Sequence, residues 1–340
     1  MSDRRQALGV VVIGRNEGAR LARCLAALRA ADPGGPIVYA DSGSTDGSAE
    51  LARAAGADVV ALDPGADFTM ARGRNAGFRR LLERMPDVEW VQFLDGDCEL
   101  QPGWLERGRL AMQAHPDAAV VCGRRRERHR NANVYHRLMD MEWDTPIGEI
   151  DACHGDALMR VSFLRRAGLF DESLIGGEEP ELCTRLRAAG GRILRLPAEM
   201  SLHDAAIDHF GGWWRRCFRS GHAEAQCAAR HGWRHHLGSL RTLLRPWLWV
   251  FLLPLALFCA SLAFGPVALA GFLFYPLHAA KIALARLRRG DSPGDSARYA
   301  LFVLIGRIPT WLGHLSYWLT RLRGRRSTLI EYKAPGRGAT

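Results

Sequence analysis

Between Pro246 and Ala280 the chain carries no Asp, Glu, Lys or Arg, and this uncharged run of about 35 residues constrains the architecture more than any other feature. A single helix of that length would rise ~52 Å, far beyond the ~30 Å hydrocarbon core of a bilayer. A helical hairpin over 246–287, broken near Gly265-Pro266, fits better. Arg241 and Arg245 flank one end, and Lys281, Arg286, Arg288 and Arg289 flank the other. Two spans with both ends in the cytoplasm obey the bias of basic residues to that side. The alternative is a buried hairpin of a soluble protein, against which stand the length and the edge residues Trp247 and Trp249. Tyr299–Leu319 is also apolar, but on a helix Arg307, Thr310, His314, Tyr317 and Arg321 fall on one stripe. Segment 299–320 is therefore expected to be an interfacial or third membrane helix, followed by a basic tail, 321–340. Phe210-Gly-Gly-Trp213-Trp214-Arg215-Arg216 mixes aromatics with Arg, as expected of a juxtamembrane amphipathic segment over 209–240.

Residues 1–208 read differently. Leu8–Ile13, Ile37–Ala40, Val59–Leu62, Val88–Leu94, Ala118–Cys122 and Arg192–Leu196 are short apolar runs, and helical patterns separate them. Asn16–Ala30 has apolar Leu21, Cys24, Leu25 and Leu28 at the spacing of a helix packed on a sheet. The alternation predicts an α/β domain with a mostly parallel sheet. The formal net charge is +10, almost all of it from Arg, with Lys only at 281 and 333. The Arg residues are scattered and match no nucleic-acid motif, so no nucleic-acid partner is expected; anionic lipid or phosphorylated substrates suit them better. The eight Cys form neither a CxxC pair nor a zinc spacing and read as buried free thiols. The opening residues lack an apolar stretch long enough for a signal peptide, so the first domain is expected in the cytoplasm.

In open α/β sheets ligands sit beyond the carboxyl ends of the strands, and the unusual residues of this chain are found there. Asp95-Gly-Asp97 ends an apolar strand. Two Asp one residue apart can direct both carboxylates into one pocket and hold Mg²⁺ or Mn²⁺ against a diphosphate; the plain alternative is an Asp-Gly turn. Asp41-Ser-Gly-Ser-Thr-Asp46-Gly ends the second strand; Asp41 suits a base or ribose contact, and Thr45 or Asp46 a helix cap. Arg72, Arg74 and Asn75 open a helix and suit phosphate, or else form a solvated basic turn. Arg124-Arg-Arg-Glu-Arg128 follows a strand end and reads as a solvated loop or a face toward a phosphorylated acceptor. Glu178-Glu179-Pro180-Glu181 precedes a helical stretch, where Pro suits the first turn and the helix field favours an ionised carboxylate at Glu179.

The loop Arg15-Asn16-Glu17-Gly18, the DSGSTDG turn, Arg74-Asn75-Ala-Gly, the DGD and the Glu178–Leu182 segment occur in the order seen in family 2 glycosyltransferases, and over about residues 7–205 the chain resembles that family. The resemblance implies the GT-A fold, a nucleotide-sugar donor and a divalent metal. It implies donor contacts from Arg15, Asn16, Glu17, Asp41, Arg72, Arg74, Asn75 and Asp95, metal ligation by Asp95, Asp97 and His203, and Glu179 as catalytic base. Many relatives carry Glu-Asp where this chain has Glu178-Glu179. Asp156 resembles part of an acceptor-side loop; Trp143 and Trp214 suit sugar stacking or packing. The QxxRW pattern of processive synthases is absent, which favours single transfers.

The expectation is an inverting hexosyl transfer to a membrane-associated glycan or lipid-linked acceptor of the cell envelope, by a multi-pass protein of the inner membrane. The rivals are transfer to a polyprenyl phosphate, and a non-catalytic scaffold of a polysaccharide or export complex.

Overall fold

Leu8–Gly14 forms β1, and burial of Leu8 to Ile13 on both faces accounts for its β-branched run. The computed structural model describes residues 8–232 and 240–325. Parallel neighbours flank β1: β2 (Ile37–Asp41) on one side, with β3 (Asp58–Ala61) outside it, and β4 (Trp90–Asp95) on the other. The crossovers are α1 (Ala19–Ala30), α2 (Ser48–Ala54) and α3 (Met70–Arg84). α1 buries Leu21, Cys24, Leu25 and Leu28. α3 lies close on the sheet, because a Cβ at Gly77 would stand 2.5 Å from Val11 Cγ1.

Beyond β4 the sheet is mixed. β5 (Cys98–Leu100) leads into α4 (Trp104–Ala114), β6 (Ala118–Glu127) and then α5 (Val134–Glu142). β7 (Gly148–Glu149), β8 (Ala157–Arg160), α6 (Val161–Ala167), α7 (Glu178–Ala188) and β9 (Arg192–His203) follow. β8 inserts antiparallel between β4 and β6, β9 runs parallel to β6, and β5 and β7 pair antiparallel with β9. β6 and β9 both outrun their expected ends. The Arg-rich run is no solvated loop: Arg124 and Arg125 are buried in the β6–β9 ladder, and Arg126 pairs with Glu199 at 2.7 Å.

The described residues divide into two compact units, the first holding 8–130 and 142–207, the second 131–141, 208–232 and 240–325. Segment 131–141, expected in the first domain, thus belongs to the second. In the second unit α8 (Phe210–His231) crosses a 30-residue helix, Pro293–Leu322. Glycines make the approach close: a Cβ at Gly221 would lie 2.1 Å from Thr310 O, and one at Gly313 2.2 Å from Phe218 O. His314 Nε2 lies 3.2 Å from Glu224 Oε2, and the Tyr317 ring stands edge-on to His222. The polar stripe expected to face a membrane surface is therefore turned largely onto protein partners. Arg241–Phe264 and Pro266–Leu287 are long and apolar enough to cross a membrane, and none of their most apolar window is buried. Cys259 on the first is exposed and Cys217 half-buried, unlike the six buried thiols. The expected tail beyond 325 and residues 233–239 lie outside the described residues.

Candidate active site

The carboxyl ends of β1, β2 and β4 bring three loops together. Asn16, with a left-handed φ of 55°, accepts Thr45 N–H at 2.7 Å through Oδ1 and donates its own N–H to Ser44 Oγ. Ser48 Oγ accepts the backbone N–H of Glu17 and Gly18, and Asp46 Oδ1 accepts from Ser48 N and Oγ. Asp46 thus organises the start of α2. Asp41, buried, accepts Gly43 N–H, Ser44 N–H and the Tyr39 hydroxyl. Those three bonds leave its carboxylate room for one more donor. Glu17 pairs with Arg20 at 2.8 Å, and Arg15 lies over the Phe68 ring at 5.3 Å.

Arg72, Arg74 and Asn75 each meet partners within the protein. Arg72 donates to the carbonyls of Asp63, Ala66 and Asp67 and ties down its own loop. Both ends of the Asn75 amide are spent on 170–172: Nδ2 donates to Phe170 O and Glu172 Oε1, and Oδ1 accepts Phe170 N–H. Arg74 is 1% exposed and stands among carboxylates: Asp95 Oδ1, Glu178 Oε1 and Glu179 Oε1, each at 2.8 Å. Burial works against its charge, but Glu179, Asp95 and Glu178 outweigh it and hold its proton more firmly than usual.

The centre of the site is the turn after β4. Burial opposes ionisation of Asp95, yet Arg74 and then Arg125 pull its pKa below the ordinary value. Arg125 Nη2 lies 3.4 Å from Asp95 Oδ2, with its guanidinium over the Trp143 ring. Asp156 is fully buried beneath this turn: Oδ1 accepts Asp95 N–H and Oδ2 accepts the Ser201 hydroxyl. It thus braces the turn from below. Trp143 is likewise buried, edge-on to His203 at 4.8 Å, and is not offered to a sugar. Trp214 belongs to the second unit, half-buried beside Phe210.

Asp97 Oδ2 and His203 Nε2 converge to 3.4 Å, while His203 Nδ1 faces Glu127 Oε2 at 3.5 Å. A carboxylate oxygen beside an imidazole nitrogen whose other nitrogen meets a second carboxylate is a donor set that fits a divalent cation. Cys98 is near enough to join them, but burial pushes its thiol up and keeps it protonated. Asp95, expected as a ligand too, has its oxygens facing Arg74 and Arg125.

Glu179 lies in the first turn of α7, but burial prevails over the helix field. Desolvation, offset in part by Arg74, pushes its pKa up to about 7. Glu178 is part of the Arg74 cluster, whereas Glu181 pairs with Arg185 at 2.6 Å. Gly155 leaves the space in which these groups meet: its Cβ would come 2.7 Å from Asp95 Oδ2, 2.9 Å from Arg74 Nη2 and 3.2 Å from Glu179 Oε1. Gly155→Ala should fold but lower turnover by about 10²-fold, because an ångström-scale displacement of reacting groups has that effect; steady-state kinetics beside a thermal melt would check it. Sequence reasoning missed Arg125, Glu127 and Gly155. Arg125 and Glu127 are two residues apart, so a longer β6 would have put them on one face.

Loops at the strand ends, an acidic turn with a donor set that fits a cation and a nearby buried carboxylate thus meet on one edge of the sheet. Residues 9–167 match the family described as Glycosyl transferase family 2. The chain is 28% identical over 234 residues to the pre-mycofactocin glycosyltransferase of Mycobacterium tuberculosis, a match covering 65% of this chain and 47% of the relative. It thus spans about half the length of the curated relatives it matches. Among solved structures it is similar to the mannosyltransferase PcManGT from Pyrobaculum calidifontis in complex with GDP-Man and Mn²⁺ (TM-score 0.61, 18% identity, 92% of this chain and 88% of that one). It is also similar to S. aureus TarS 1-349 (TM-score 0.50, 13% identity, 94% and 92%). These likenesses establish the fold.

Proposed function

We propose that the chain transfers a sugar, with inversion, from a nucleotide-diphosphate sugar to a hydroxyl of a membrane-associated glycan or lipid-linked acceptor. The observation that carries this reading is Arg74 Nη2, which holds Asp95 and Glu179 at 2.8 Å each and so sets a base beside the donor turn. Asp97 and His203 would hold Mg²⁺ or Mn²⁺, which when bound offsets the charge of a departing diphosphate. Asp95, fixed by Arg74, Arg125 and Asp156, faces the donor, and the Asn16–Thr45 and Asp41 loops receive its nucleoside. Glu179, with a pKa near neutrality, takes the proton of the acceptor hydroxyl. A phosphate acceptor needs no base, so a buried carboxylate tuned to about 7 favours the hydroxyl over a polyprenyl phosphate. Turnover by Glu179→Gln separates the two.

Arg241–Phe264 and Pro266–Leu287 anchor the protein in the inner membrane as a hairpin, with the catalytic unit in the cytoplasm. Exposed Phe258, Leu262, Phe264 and Val267, between 58% and 80% accessible, support this reading. Detergent should extract the full chain from membranes, and high salt or alkaline carbonate should leave it there. Release by carbonate, followed by immunoblot, would show that the hairpin does not span the bilayer.

A further inference from the structure

Within the second unit, Arg307 is a cation without a counter-ion among the described residues. Its guanidinium lies over the Trp249 ring at 4.9 Å, and Nη2 bonds His278 Nε2 at 2.8 Å. A guanidinium has no lone pair, so this imidazole nitrogen accepts and carries no proton. Trp249 and His278 stack on each other at 4.5 Å, and both contacts of Arg307 are therefore neutral. Nη1 is buried and has no hydrogen-bond partner among the described residues. A guanidinium keeps its charge in any protein setting, and an uncompensated charge among apolar helices is costly.

Arg307 also lines a cavity of about 290 Å³ together with Trp249, Pro254, Tyr275, Leu304 and Ile308. The Tyr275 hydroxyl donates to Trp249 O and closes one wall. These walls are half-buried and Ile308 is exposed, so the cavity is open to its surroundings. It has room for a headgroup phosphate and the first methylenes of a chain, not for a whole lipid. Exposed Arg245 lies one helical turn before Trp249, where the first apolar helix begins. Cations and aromatics thus mark one end of the cavity, at the level where headgroups meet the hydrocarbon.

We propose that this cavity binds the phosphate of one anionic bilayer phospholipid through Arg307, with the acyl chain lying along the apolar helices. The proposal rests on the membrane reading given above. The occupant follows from the setting: a cavity that opens beside exposed apolar helices meets the surrounding monolayer, where anionic phospholipid is the abundant phosphate-bearing amphiphile.

The test is native mass spectrometry of the full chain in neutral detergent, offered phosphatidylglycerol, phosphatidylcholine or farnesyl phosphate. Wild type should retain one phosphatidylglycerol at least about tenfold better than Arg307→Gln, the effect of losing a charge-assisted hydrogen bond. Arg307→Lys should retain most of the binding, and Arg321→Gln, on the same helix, should match wild type. Equal retention by a folded Arg307→Gln would overturn the proposal. So would a wild type that prefers phosphatidylcholine or shows no preference, a result independent of any variant's folding. Retention of farnesyl phosphate alone would assign the cavity to a lipid acceptor and overturn it too. Carbonate extraction tests the membrane reading separately, so failure of that reading is told apart from failure of the lipid site.

Discussion

Glu179→Gln is expected to lower kcat by about 10²–10⁴ with little change in donor affinity, the size of effect that loss of a general base produces. The acceptor hydroxyl has a pKa far above neutrality, so its attack needs a base in the transition state. Gln keeps the size of the side chain and can still accept a hydrogen bond from Arg74, but it cannot take a proton. The wild-type kcat/KM should rise with pH through about 7, where Glu179 becomes ionised, and the variant should lack that limb. Stability should move the other way. Glu179 has its folded pKa raised above the unfolded value, so its contribution is greatest at low pH and is lost as pH climbs toward about 7. Glu181→Gln weakens only the Arg185 pair and should affect melting more than turnover. Transfer by Glu179→Gln at the wild-type rate would remove the hydroxyl-acceptor mechanism with this base.

Arg74→Leu should destabilise the first unit by about 3–5 kcal/mol, the usual cost of removing one partner from a buried ion pair. Here the loss leaves Asp95, Glu178 and Glu179 facing one another with their shared cation gone. Thermal unfolding followed by tryptophan fluorescence should fall by roughly 10 °C. Arg74→Lys keeps the charge but lacks the fork that meets Glu178 with Nη1 and the other two with Nη2. It should regain part of the stability and little of the turnover. A melt of Arg74→Leu within a degree or two of wild type would show that the cluster does not hold the site.

The sequence made the first half of the sheet legible because each strand is a continuous apolar run ended by an acidic or glycine-rich turn. Leu8–Ile13 and Val88–Leu94 could hardly be read otherwise. The antiparallel β8 was hidden because Ala157-Leu-Met-Arg160 is only four residues long and lacks β-branched side chains. The long β6 was hidden because Arg is depleted from buried positions, and only the carboxylates around Arg125 make its burial tolerable. The sequence shows the candidate site residues by type and place, but not their partners. Nothing local to Arg74 announces that Asp95, Glu178 and Glu179 converge on it from β4 and α7. For the same reason the sequence reads Asn75 as a ligand contact, whereas its amide closes on the Phe170 backbone and the Glu172 carboxylate. The helix-start argument gave Glu179 the right position and the wrong titration, since burial outweighs a helix terminus.

The most direct test of the central claim is titration calorimetry of the full chain in detergent with UDP-, GDP- and dTDP-sugars, in Mn²⁺ and again in chelator. At least one donor should bind with Mn²⁺ and lose most of its affinity on chelation, and Asp97→Ala, still folded, should show the same loss with Mn²⁺ present. Donor binding that is unchanged by chelation and by Asp97→Ala would contradict a metal-dependent transferase built on Asp97 and His203.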